Sequence, residues 1–506
     1  MKNSLLPSRC LAVFGTGSDV GKSVIVTGLC RILRRAGFRT APFKAQNMSN
    51  NSGVTPEGLE MGRAQIVQAE AAGIPPHVDM NPILLKPTSD VGCQVVLLGE
   101  AGGNQTVLEY HARKRLLVET ALDALGRLRT DFDAVVMEGA GSCAEVNLAN
   151  HDIVNFRMAE AADAPVVLAA DIHRGGVFAQ LVGTLECLPR HQRDRVAGFI
   201  VNRFRGDIRL FDDGVRWIEQ RTGKPVFGVL PWFDRFMIEQ EDSVVIERPR
   251  PVSAAGGRKP AIAVIRLPHI SNFTDFDPLI TLSGISVHFL ERPQDLGDFK
   301  AVILPGSKNT RFDLQWLHEQ GWTHRFRRYS EAGGRFLGIC GGYQMMGRAV
   351  ADPEGLEGTP GETAGLDLLP VETVLRAPKT TTRSLFQWEG ATGTGYEIHM
   401  GRTRRTGGVS LLRILKRNGL PAHDEDGCIA PDGKAMGTYV HGLFDSPSVT
   451  RRWLDCVGLE RIAVSDAHGP EARDAAYEQL ADHMNRYLDI PAIMNAAGIP
   501  WPIPAA

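Results

Sequence analysis

The stretch that decides the fold is LAVFGTGSDVGKSVIVTGLC, Leu11 to Cys30. Leu11–Phe14 reads as a short buried strand. A glycine-rich turn follows, and from Val24 to Arg35 apolar Ile25, Leu29, Ile32 and Leu33 recur at helical spacing. Strand, glycine turn and helix in that order form the context of a phosphate-binding loop. The strict pattern G-x-x-x-x-G-K-[ST] places its first glycine at 16, where Thr16 stands; Gly15 is one place early and Gly17 one place late. The chemistry is otherwise complete. Around Gly15, Thr16, Gly17 and Gly21 the backbone N–H groups can turn toward phosphate oxygens, and the helix N-terminus adds partial positive charge. Lys22 can reach the β- and γ-phosphates, and the Ser23 hydroxyl can ligate Mg2+. The ligands expected are ATP and Mg2+.

Working outward, Ala134–Met137, Val166–Ala170, Gly198–Val201 and Val226–Leu230 are further short apolar strands separated by amphipathic stretches. That alternation predicts an α/β fold with a P-loop-type, mostly parallel, doubly wound sheet, whose ligands gather at the carboxyl ends of the strands. VVMEGAGS (135–142) places Glu138 at such an end, a second metal ligand beside Ser23. VLAADIHRGG (167–176) repeats the design with Asp171. FIVNRFRGD (199–207) offers Asn202 for a base edge and Arg203 for a phosphate or carboxylate, or else a pair of helix caps. FKAQNMSNNS (43–52) is a dense polar run, with Lys44, Gln46 and Asn47 suited to an anionic substrate.

At Glu247–Pro260 the texture changes to ERPRPVSAAGGRKP, a linker composition. A second α/β series follows: Ala261–Arg266, Ile285–Leu290, Ala301–Leu304 and Arg335–Ile339. The boundaries expected are 1–248 for the nucleotide domain, 249–260 for the linker, 261–455 for the second domain and 456–506 for a helical tail. The tail carries a helical pattern around Glu478–Leu488 and ends in Pro/Ala-rich IPWPIPAA. In the second series RFLGICGGYQ (335–344) sets Cys340 between Gly338 and Gly342, the nucleophile-elbow spacing with cysteine as the nucleophile. A thiol at a helix N-terminus gains thiolate character. The N–H of Gly341 and the backbone around Gly306, in LPGSKNT, are the expected oxyanion donors. The base expected is His441, on a short strand in MGTYVHGLFD (436–445).

The chain has 506 residues, room for two to four domains, and an ordinary globular composition, 43% hydrophobic and 23% charged. A net charge of -2 gives no electrostatic case for nucleic acid or an anionic membrane. There is no unbroken apolar run of membrane-spanning length and no signal-peptide pattern, so the expected location is cytoplasmic. Eight scattered cysteines show no zinc spacing and are expected to be mostly reduced and buried.

These residues carry a family resemblance. The second domain resembles the class I, triad-type glutamine amidotransferases. The Leu11–Cys30 loop is similar to that of dethiobiotin synthetase, which is also one residue longer than the strict pattern and has a GAG-flanked Glu matching Glu138. The two in this order resemble the cobyric acid synthase branch of the cobyric/cobyrinic acid amidotransferases. APFKAQNMSNNS (41–52), GRAQ (62–65), HVDMNPILLKPTSD (77–90), EGAGSCAEVNL (138–148), DIHRGGVFA (171–179), LPGSKNT (304–310) and GYEIHMG (395–401) all look like that branch.

The resemblance implies a corrinoid substrate and L-glutamine as nitrogen donor. Its reaction is ATP-dependent amidation, through acyl phosphates, of the b, d, e and g propionates of adenosylcobyrinic acid a,c-diamide. A homo-oligomer is compatible with it. Many class I enzymes carry a Glu two residues after the histidine, where Leu443 stands here, so the resemblance implies a Cys340–His441 dyad. Glu397 and His399 fall to the substrate or to packing, with Glu397 also a candidate support for His441. His173 stands where the branch has Asp.

The runner-up is cobyrinic acid a,c-diamide synthase, opposed by the PFKAQNMS and MNPILLKP runs. A partition-type ATPase would need its signature Lys where Gly17 stands, and would have no use for Cys340. A binding module without activity would leave Cys340 inert.

Overall fold

The computed structural model describes residues 9–89, 92–106, 114–233 and 259–501. Most of the expected linker (249–258) and the end of the tail (502–506) lie outside the described residues. The first sheet has six strands, all paired parallel: β1 (Arg9–Gly15), β2 (Thr40–Phe43), β3 (Ala134–Glu138), β4 (Val166–Asp171), β5 (Val196–Phe204) and β6 (Val226–Pro231). The order across the sheet is β6-β5-β4-β1-β3-β2. The chain therefore leaves β1 toward one edge and later fills the other side, so β3 and β4 flank β1. β3 and β4 are buried at every position, as helices on both faces demand.

The second sheet repeats the plan with β7 (Ala261–Ile265), β8 (Ser286–Leu290), β9 (Phe299–Leu304), β10 (Phe336–Ile339), β11 (Cys428–Ile429) and β12 (Ala435–Thr438). Its order is β8-β7-β9-β10-β12-β11, parallel except for the β11–β12 edge pair. The α/β strand periodicity does not announce two further features. Strands Val371–Trp388 and Ala391–Arg405 form a long antiparallel hairpin over the second domain. Gln46–Met48, within the polar run of the first domain, is a strand paired with Ile83–Ser89. Among the described residues no helix is long and apolar enough to cross a membrane. No disulfide forms: Cys10, Cys30, Cys340 and Cys428 are buried, whereas Cys93, Cys143 and Cys456 are half-buried and Cys187 is exposed. Burial of the thiols is therefore less general than expected.

Where the domains meet, Glu60 is 1% exposed and binds Lys86 Nζ at 2.7 Å and, from the hairpin of the second domain, Lys379 Nζ at 2.6 Å. Burial by itself would raise the Glu60 pKa; the two ammonium groups hold it well below the usual carboxylate range.

The tail returns to the first domain. Its helix spans Pro470–Tyr487, eight residues earlier at its start than the apolar pattern suggests. It packs on α1 (Lys22–Arg35), where a Cβ on Gly28 would lie 2.0 Å from Met484 Sδ. Arg31, 2% exposed on α1, is answered by Asp474 and by Glu478 at 3.1 Å. Met484 is completely buried in that contact. Met484→Ala is expected to cost about 3 kcal/mol, because the rigid α1 surface cannot close the cavity. Urea unfolding of the full chain measures it; a loss within error of zero would mean that the helix does not hold the domain.

Candidate active site

The phosphate-type loop leaves β1 and enters α1 at Lys22. A Cβ on Gly15 would lie 2.8 Å from Gly17 O and 3.0 Å from Lys22 Nζ. Gly21 has φ +93°, and a Cβ there would strike Asn202 Nδ2 at 2.2 Å, so both space and backbone demand glycine. Lys22 Nζ donates to Gly17 O and Gly141 O, each at 3.0 Å, curling over the loop. Asn202, at the end of β5, donates to Val20 O at 2.8 Å and so fastens the loop from the side. Thr16 Oγ1 donates to Gln180.

Glu138, 1% exposed at the end of β3, accepts from Ser23 Oγ at 2.9 Å, from Lys44 Nζ at 3.0 Å and from Gln68 Nε2. Hydroxyl and carboxylate oxygens side by side are the hard donors that Mg2+ takes. Lys44, itself 4% exposed, balances the buried carboxylate. Asn47 donates to Gln65 at 3.1 Å and is buried, while Gln46 is half-buried on the same short strand. On the other flank of β1, Asp171 accepts from His173 N at 2.7 Å and pairs with Arg203 at 2.9 Å. The His173 ring rests against Trp232, so the imidazole faces an aromatic surface.

The thiol is built on the same plan in the second sheet. Cys340 follows β10 directly and opens a short helix, Gly341–Met345. Its φ of +52° with ψ of -109° is a strained backbone for a residue with a Cβ. Gly342 makes the turn feasible: a Cβ there would lie 2.0 Å from Leu304 O. The strands on either side of β10 supply the rest. After β9, the short strand Gly306–Ser307, paired with Ile270–Ser271, stands against Gly341, whose Cβ would lie 2.8 Å from Ser307 N. The two expected oxyanion segments therefore meet beside the thiol.

After β12, the chain brings His441 to the same place. The strand ends at Thr438, and His441 is held beyond it by a backbone bridge to Tyr396, which corrects the expectation that it lies on a strand. The Tyr396 ring stacks on the imidazole.

The expected dyad is corrected as well. His441 Nδ1 lies 2.7 Å from Asp275 Oδ2, and Asp275 Oδ1 accepts from Gly442 N at 2.9 Å. Asp275 comes from a 3-10 turn, Phe273–Phe276, that follows β7. With Nδ1 on the carboxylate, Nε2 is left for the Cys340 thiol. Burial pulls the His441 pKa down, but the charges of Asp275 and Cys340 and hydrogen bonds to both outweigh it and raise it to about 10. Glu397 is engaged elsewhere. It accepts from Ser384 Oγ at 2.7 Å, pairs with Arg417 and lies 3.5 Å from His399 Nε2. Sequence spacing hid Asp275: it stands 166 residues before His441, in SNFTDF, which carries no motif.

Comparison with known proteins matches both halves. Residues 11–244 match the CobQ/CobB/MinD/ParA nucleotide-binding domain, and residues 261–449 match the CobB/CobQ-like glutamine amidotransferase domain. A nucleotide-binding domain joined to a glutaminase of this kind defines a glutamine-hydrolysing carbon–nitrogen ligase. The chain is 52% identical to a cobyric acid synthase of Chlorobium phaeobacteroides strain BS1, over 97% of this chain and 99% of that one. It is 50% identical to that of C. phaeobacteroides strain DSM 266 over the whole of both chains. Identity to the cobyric acid synthase of Chlorobaculum tepidum is 49%, over 97% and 98%. The chain belongs to the cobyric acid synthase family.

The groups that face His441 are Asp275, Cys340 and the Tyr396 ring. Asp275→Asn removes the charge that raises the imidazolium pKa, so that pKa falls. The alkaline limb of the pH profile for glutamine hydrolysis is expected to move to lower pH, with the rate at neutral pH down by about 100-fold or more. An unmoved limb would mean that Asp275 does not govern His441.

Proposed function

We propose that this chain converts adenosylcobyrinic acid a,c-diamide to adenosylcobyric acid. It amidates the b, d, e and g propionates with ammonia drawn from glutamine. The observation that carries the reading is the presence of both chemistries in one chain: a hydroxyl–carboxylate pair at a phosphate-type loop, and a thiol–imidazole–carboxylate set at a nucleophile elbow. Relatives similar over the full length support the choice of substrate.

In the glutaminase, Cys340 Sγ attacks the side-chain amide carbon of glutamine. The oxyanion that forms is met by the N–H of Gly341 and the backbone around Gly306. His441 passes its Nε2 proton to the departing nitrogen, the C–N bond breaks, and ammonia leaves. Water, activated by the now neutral imidazole, then cleaves the thioester to glutamate and returns the thiol. Asp275 fixes the tautomer and steadies the imidazolium throughout.

In the other domain ATP supplies the phosphoryl group that turns a carboxylate into an electrophile, and Mg2+ offsets its charge. Gly15 to Gly21 and Lys22 would hold the phosphates, Asn202 would keep the loop's flank in place, and Ser23 and Glu138 would hold the metal. Lys44 balances Glu138, and Gln46, half-buried on the neighbouring strand, faces the corrinoid carboxylate, while Asn47 braces that strand through Gln65.

Cys340→Ala is expected to abolish glutamine-dependent synthesis while leaving synthesis from added ammonium salts. Lys22→Ala is expected to abolish both. Loss of both in Cys340→Ala, or survival of the ammonia reaction in Lys22→Ala, would break the two-site reading. Mass spectrometry of the corrinoid products decides the substrate: amidation of unamidated cobyrinic acid would point instead to a,c-diamide synthesis.

A further inference from the structure

The turn that carries Asp275 is not self-contained. Phe273–Phe276 is a single 3-10 turn that runs into a one-turn helix, Asp277–Ile280, and so short a helical segment has little stability of its own. Its N-cap residue, Asn272, accepts from Asp275 N through its backbone carbonyl but gives the turn no side-chain cap, and it sits in the left-handed region at φ +51°. The cap is supplied from the nucleotide-binding domain: Phe273 N donates to Asn51 Oδ1 at 3.2 Å. Asn272 in turn spends its side chain on that domain, its Oδ1 accepting from Ser52 N at 3.1 Å. Asn51 and Asn272 are 2% and 3% exposed, so water does not replace either bond. The segment that supplies the cap is the one that begins with Lys44, the partner of Glu138.

We propose that this reciprocal clasp positions the glutaminase base: the nucleotide-binding domain, through Asn51 and Ser52, holds the turn that presents Asp275 to His441. Glutamine is then hydrolysed at full rate only while the two domains are docked. Asn51 and Asn272 are positioning residues; they act through Asp275. The inference rests on the assignment of Cys340 and His441 as the glutaminase pair.

The test uses the full chain. Asn272→Gly keeps the left-handed backbone and removes the acceptor; Asn51→Ala removes the opposite one. Each is expected to lower kcat for glutamine hydrolysis roughly 10-fold with KM unchanged, through misplacement of the base. Each is also expected to move the alkaline limb toward that of Asp275→Asn. Asn272→Gly leaves synthesis from ammonium salts unchanged. Asn272→Asp, which retains an acceptor oxygen and tolerates this backbone, restores most of the rate. In an Asp275→Asn background Asn272→Gly adds no further loss. Wild-type kcat and pH profile in both single variants would overturn the clasp. So would an equal fall with both nitrogen sources accompanied by a lower Tm, which marks general damage. If Cys340→Ala is inactive with glutamine and the clasp variants are not impaired, the clasp alone fails; hydrolysis by Cys340→Ala would remove the assignment beneath it.

Discussion

A carboxylate cannot be buried unless its charge is answered, and this molecule buries several at the points where elements must agree. Glu138, Glu60 and Asp275 are each no more than 5% exposed. Each meets a cationic or protonatable group from a distant part of the chain: Lys44 for Glu138, Lys86 and Lys379 for Glu60, His441 for Asp275. Losing one partner of such a pair leaves a charge in a low-dielectric interior, which costs far more than a surface pair contributes. The pairs therefore act as checks on assembly. Glu138 gains its cation only if β3 and the segment after β2 are in register, Glu60 gains its second cation only if the hairpin of the second domain has docked, and Asp275 meets His441 only if the turn after β7 meets the loop after β12.

The two centres are one construction used twice. A parallel strand ends, the chain turns sharply, and a helix begins; neighbouring strands end at the same level and deliver the remaining groups. In the first sheet the turn follows β1, with Glu138 from one neighbour and Asp171 from the other. In the second it follows β10, with Gly306 after one neighbour and His441 after the other. The difference lies in the turn. Each turn holds one non-glycine residue at positive φ, Asp19 at +57° in the first and Cys340 at +52° in the second, but only in the second is that residue the nucleophile itself.

The amino-acid order already shows what is local. The strand, glycine turn and helix of Leu11–Cys30, the elbow at Cys340 and the alternating strands depend on neighbours in sequence, and most of both sheets follows from them; the edge strands β2 and β11 stand outside those expectations. Asp275 was illegible because its role depends on pairing across 166 residues, and nothing in SNFTDF distinguishes it from a surface turn. The partners of Glu397 were illegible for a related reason. Glu397 stands in a distinctive run, but its partners, Ser384 and Arg417, are brought to it by antiparallel pairing that the run does not encode. The strand at Gln46–Met48 was hidden by its composition: its polar side chains are paired inside the protein, as Asn47 is with Gln65, rather than displayed to solvent.

Ammonia gives the domain contact its chemical purpose. Released into bulk water it is largely protonated, and ammonium has no lone pair with which to attack an activated carboxylate. A closed site prevents that loss. Hydrolysis that ran while the domains were apart would waste both glutamine and the nucleophile. A glutaminase domain complete in itself could not sense that state. One whose base is steadied by a turn capped from the other domain can, because the cap, Asp275 and His441 form a single line of contacts from Asn51 to the thiol. The absence of a carboxylate at Leu443, where it would share a loop with the histidine, then has a physical consequence. On the proposed clasp, the carboxylate partner of His441, carried on the turn after β7, lies at the domain seam, where docking governs it.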